Sequence, residues 1–137
     1  MSADLRRAPD ADCIAVDSSL MDSIANRPAA EPLEPITAVA VHDPWIRSRG
    51  SMPYEHYYVI AMEFQKPDGS NVDGIWGMGT NLPLVEGQAV TVVPGGPSLV
   101  SVDDTARQNT VWPDIEMFFP EDANAVKEAR RCLSYAS

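Results

Sequence analysis

The stretch Tyr54–Thr80, YEHYYVIAMEFQKPDGSNVDGIWGMGT, decides the fold. From Glu55 to Gln65 it is dense in Tyr, Val, Ile and Phe, residues that fit a pleated, half-buried surface. Lys66-Pro67-Asp68-Gly69-Ser70 then interrupts the run. Pro67 presets φ, Asp68 can bond its own backbone, and Gly69 can take the positive φ that closes a tight turn. Val72 to Met78 can therefore return antiparallel, and the stretch predicts a β-hairpin. His56, Tyr58, Ile60, Met62 and Phe64 share one strand face, while Tyr57, Val59, Ala61 and Glu63 share the other. The first face is the better core candidate. In the returning strand, Gly74-Ile75-Trp76-Gly77-Met78-Gly79 alternates glycine with bulk, which suits a sharp bend at a barrel corner or a close approach of another backbone, the corner being preferred.

Composition supports a β-rich reading. With 137 residues and 45% hydrophobic content, the chain can form one domain that buries roughly two-thirds of its unfolded surface. Twelve prolines spread along the length leave little room for long helices. Ten Lys and Arg against twenty Asp and Glu give a net charge of −10, which repels a phosphate backbone and argues against nucleic-acid binding. No apolar run approaches the roughly 18 residues of a membrane span, and no apolar core of a secretory signal follows Arg6 and Arg7. Cys13 and Cys132 show no framework spacing, so two free thiols in a reducing cytoplasm are expected, with a disulfide tying the termini as the alternative.

Outward from the hairpin, the chain divides into an N-terminal arm, short helix and Pro-rich connector (1–35), a β-barrel core (36–119) and a C-terminal helix (120–137), all in a single domain. Cys13-Ile14-Ala15-Val16 reads as a mobile arm or an added edge strand. Asp17-Ser18-Ser19 caps a helix whose Leu20, Met21 and Ile24 share a face and which Pro28 must end. Ile36–His42 is a β-branched strand with Val39 and Val41 on one side and Ala38, Ala40 and His42 on the other. Ala89–Val93 and Ser98–Val102, around Pro94-Gly95-Gly96-Pro97, read as a second hairpin. Asp103–Thr110 reads as a polar loop, and Val111-Trp112 with Ile115–Phe119 as a broken sixth strand. Glu121 to Tyr135 reads as a helix with Val126, Ala129, Leu133 and Ala136 on its apolar stripe. The expected fold is mainly β: a small, partly open barrel or roll of about six strands with a short N-terminal helix and a C-terminal helix.

No motif of high specificity for catalysis is present. There is no H-x-H, H-E-x-x-H or paired C-x-x-C, no G-x-S-x-G and no phosphate loop, so neither a metal nor another cofactor is expected. What stands out is a concentration of aromatic and thioether side chains between Trp45 and Met78. It serves as core, as an exposed patch, or as the lining of a lumen. In the patch reading, Trp45, Met52, Tyr54, Tyr57 and Trp76, rimmed by Arg47 and Arg49, bind another protein. In the lumen reading, His42, His56, Tyr58 and Glu63 are the polar or acid–base handles of a cofactor-free barrel enzyme or a carrier of an apolar molecule. The patch needs fewer coincidences, and a small acidic protein-binding module without catalytic activity is the expected function. A homodimer through a sheet edge is a further possibility for its partner.

Overall fold

The computed structural model describes residues 13–42, 56–80, 98–112 and 124–136. The organising hairpin forms as expected. Strand β3 (His56–Gln65) and strand β4 (Asn71–Thr80) pair antiparallel in continuous register from His56 opposite Thr80 to Gln65 opposite Asn71. At the turn, the Gly69 N–H donates to the Lys66 carbonyl at 2.9 Å, and Gly69 takes a φ of +89°. Asp68 accepts from the Ser70 hydroxyl at 2.6 Å and from the Ser70 N–H at 2.9 Å, and these bonds hold its carboxyl below the usual range.

Around the hairpin lie strands β1 (Ile14–Ala15), β2 (Glu34–His42) and β5 (Ser98–Ser101), giving an antiparallel meander in the order β1-β2-β3-β4-β5. The expected barrel or roll is thus an open five-stranded sheet, with no pairing of β1 to β5 among the described residues. β1 is the added edge strand anticipated for the arm, set against Ala40 and Val39. Of the further expected strands, Ala89–Val93 and Ile115–Phe119 lie outside the described residues.

Three helices cover the sheet. α1 (Ser18–Ala25) has the start and spacing read from the sequence and buries Leu20 and Ile24 completely, although the Asp17 side chain at its N-cap position makes no capping bond. α2 (Asp104–Asn109) replaces the polar loop expected there. It forms because the Asp103 carboxylate caps the Ala106 N–H at 2.9 Å, with Asp104 in the first turn and Arg107 in the last, as the helix dipole favours. α3 (Asn124–Ala136) is the C-terminal helix and packs on β2 and β3.

The face read as the better core candidate is buried, and so is the opposite one. Val39, Val41, Tyr57, Val59, Ala61 and Ile75 pack beneath Val126, Ala129 and Leu133 of α3. On the other face, Ala38, Ala40, Tyr58, Ile60, Met62, Phe64, Trp76 and Met78 pack with Leu20 and Ile24 of α1 and Ala106 of α2. Apolar residues at consecutive positions of β3 are therefore the mark of a strand covered on both sides. The thiols are corrected too: Cys13 and Cys132 form a disulfide with Cα atoms 5.7 Å apart. Both cysteines belong to the α3-side core, so the bridge fastens the N-terminal edge of the sheet to the C-terminal helix.

Gly74, the first glycine of the alternation in β4, serves close approach. A Cβ on Gly74 would stand 2.8 Å from Cη2 of the Trp76 indole and 3.3 Å from the backbone nitrogen of Ala106 in α2. The first contact is shorter than real Cβ atoms show, and the indole cannot retreat, because Trp76 is fully buried and donates from Nε1 to Thr110 Oγ1 at 3.0 Å. Gly74→Ala is expected to cost about 1–3 kcal/mol by overpacking, read as a lowered urea midpoint with an altered near-ultraviolet tryptophan signal. An unchanged midpoint would show that α2 or the ring yields freely.

Candidate functional site at the histidine end of the sheet

The two ends of the sheet differ. At one end, β3 and β4 join through the tight turn at Lys66–Ser70. Toward the opposite end lie His42 of β2, His56 of β3, Thr80 of β4 and Ser98 of β5. Register places these four residues side by side, since His42 faces Tyr58, His56 faces Thr80, and Gly79 faces Ser98.

The side chains here come together on the α1 face. Alternation puts His42 on the face of Ala38 and Ala40, and His56 on the face of Tyr58 and Ile60. The His42 and His56 rings have centroids 5.8 Å apart at an interplanar angle of 53°. His42 also meets the edge of the Tyr58 ring at 5.5 Å. Both imidazoles are partly exposed, whereas Tyr58 is only 4% exposed, and burial raises its hydroxyl pKa so that it stays a neutral donor. Three of the four handles named for a lumen are therefore neighbours. The fourth, Glu63, is apart from them: it lies near the turn end of β3, opposite Asp73, on the face that α3 covers.

Of the residues expected to bind a partner, Trp45, Arg47, Arg49, Met52 and Tyr54 lie outside the described residues, all within the segment that springs from His42 and His56. Tyr57 and Trp76 are corrected from surface to core: Tyr57 belongs to the α3-side cluster and Trp76 to the α1-side cluster. A strand residue two positions from a glycine can be read as exposed bulk or as bulk folded over that glycine, and here it is the second.

A second polar assembly lies at the seam of β4, α2 and α3, where Asp73, Ile75, Asp103, Thr105, Arg130 and Leu133 line a cavity of about 270 Å³. The sequence reading did not single out Asp103, which is its key residue. Oδ1 of Asp103 accepts the Ile75 N–H at 3.1 Å and the Ala106 N–H at 2.9 Å, and Oδ2 meets Arg130 at 3.3 Å. These bonds commit the buried carboxylate to holding the edge of β4, so the seam is built as a structural joint. The available signal was Asp103 followed by Asp104 and, three residues further, Arg107, the pattern of a capped helix.

Among the described residues, no group of three or more His, Cys, Asp or Glu gathers as metal ligands. No helix there is long and apolar enough to cross a membrane. Compared with protein-family models, with curated proteins and with solved structures, the chain matches none.

Proposed function

We propose that this chain is a non-enzymatic recognition module that binds another protein through the histidine end of its sheet. The observation that carries this reading is the register that brings His42, His56 and Tyr58 together at the end of the sheet opposite the Lys66–Ser70 turn, where segments 43–55 and 81–97 attach in sequence. Recognition residues are commonly carried on connections held by a rigid scaffold. Segment 43–55 has the matching composition, with Trp45, Met52 and Tyr54 as anchors beside Arg47 and Arg49. The lumen alternative draws less support. Among the described residues, the large side chains of both sheet faces pack against helices rather than line a lumen, and His42, His56 and Tyr58 would be the handles of a ligand held at their end of the sheet.

Of the two sheet edges among the described residues, β5 is the better one for adding a strand from a second copy. β1 covers only Val39 and Ala40 of β2, but the uncovered part of β2 holds Glu34, Pro35 and an irregular register between Pro35 and Thr37. Charge, proline and bulges all discourage strand addition. As to compartment, the Cys13–Cys132 disulfide favours oxidising surroundings over the reducing cytoplasm read from the sequence.

Trp45→Ala and Arg47→Ala are expected to weaken binding of a partner captured from the native host at least tenfold, about 1.4 kcal/mol or more, while moving the melting temperature by only a few degrees. Titration calorimetry with that partner gives the comparison. Unaltered affinity in both variants removes segment 43–55 from the interface, and a large loss of stability in Trp45→Ala returns that side chain to the core.

A further inference from the structure

The two histidines are the only ones in the chain, and they lie on different strands with no metal-binding spacing in the sequence. Folding nevertheless makes them diagonal neighbours. We propose that His42 and His56 together bind one divalent transition-metal ion of the zinc class, with water completing the coordination, at the root of segments 43–55 and 81–97. Two imidazoles sharing a tetrahedral ion at the usual zinc–nitrogen length of about 2.0–2.1 Å hold their ring centroids about 5–6 Å apart. The 5.8 Å between these rings falls within that range.

Three features favour the pair as ligands. The strands that carry them are paired with each other in continuous register from Thr37 to His42, so the spacing is set by the register of β2 on β3. Both rings are partly exposed, which leaves the site open to an ion and to water from solution. Neutral imidazole is a borderline donor suited to zinc, nickel and copper, and the net charge of −10 raises the local concentration of any cation. Tyr58, edge-on to His42, supplies one apolar wall and limits the freedom of that ring. With two protein ligands the affinity falls in the micromolar range, short of a closed structural site with four.

The test uses the full chain, untagged and with its disulfide intact, titrated with zinc chloride. Both cysteines are consumed in the bridge, so no thiolate competes, and any imidazole signal comes from these two rings. Calorimetry should give one ion per chain, and long-range nitrogen–proton spectra should show both imidazoles shifting at the same metal ratio. His42→Ala and His56→Ala should each weaken binding at least tenfold, and magnesium, which prefers oxygen ligands, should not compete. The proposal is overturned by no saturable binding up to 0.1 mM, by ring signals that move independently, or by zinc binding that survives both substitutions and therefore belongs to carboxylates. Chain dimerisation with one zinc per two chains also overturns it, by making each histidine half of an intermolecular site. Should an alanine variant fail to fold, the ring spectra of the unaltered chain decide.

Discussion

Replacing Cys13 and Cys132 together by serine is expected to lower the unfolding free energy by about 2–5 kcal/mol, a large share of the roughly 5–15 kcal/mol that holds a domain folded. The bridge spans 119 residues, nearly the whole chain. In the chain-entropy account, a loop of about 100 residues is worth roughly 4.7 kcal/mol, because the crosslink removes so much freedom from the unfolded state. The folded state has its own reason to need it. β1 contributes two residues and pairs only with Val39 and Ala40, too little to hold a strand by ladder bonds alone. Its anchor is Cys132, which is 2% exposed within the α3-side core. Urea unfolding of the oxidised chain and of Cys13→Ser/Cys132→Ser gives the difference, and intact mass before and after reduction should differ by two hydrogen atoms. Equal midpoints would mean that the bridge merely decorates a sheet that closes without it, and an unchanged mass would mean that the thiols are free.

How far the sequence shows this fold can be judged element by element. The β3–β4 hairpin is legible because alternation and turn chemistry are local: Pro67, Asp68 and Gly69 do what those residue types do in most contexts. Leu20 and Ile24 are legible for the same reason, being one helical turn apart behind a capping segment. The second buried face is less so. Tyr57, Val59 and Ala61 are as apolar as the residues between them, and their uninterrupted run was the clue, but where α3 would settle is a matter of tertiary packing. α2 carries only Ala106 as an apolar contact, and its stability comes from the Asp103 cap rather than from periodicity. The disulfide and the His42–His56 approach are longer-range still. The first depends on the placement of α3 and the second on the register of β2 against β3, which no spacing of two residues encodes.

Asp103→Ala is the second large effect, and its size follows from the geometry of one carboxylate. Oδ1 serves two backbone donors at once, the N–H of Ile75 on β4 and the N–H of Ala106 in α2. The Val102 N–H donates to the Ile75 carbonyl at 2.9 Å, so residues 102 and 103 together extend the edge of β4 beyond the end of β5. Alanine would leave both N–H groups without that acceptor in residues that are 2% and 0% exposed, where each unsatisfied donor costs about 1–3 kcal/mol. The lost ion pair adds little, because the Arg130 side chain is about half exposed and solvent screens such pairs to about 0–1 kcal/mol. The expected total is about 3–5 kcal/mol, against less than about 1 kcal/mol for Arg130→Ala and an intermediate loss for Asp103→Asn, which keeps the Oδ1 acceptor. Urea unfolding ranks the three variants, and amide exchange should show Ile75 and Ala106 losing protection first in Asp103→Ala. If Arg130→Ala is as damaging as Asp103→Ala, the seam is an electrostatic clamp and the backbone caps are secondary. If neither variant moves the midpoint, α2 is held by Trp76 and Thr110 rather than by its cap.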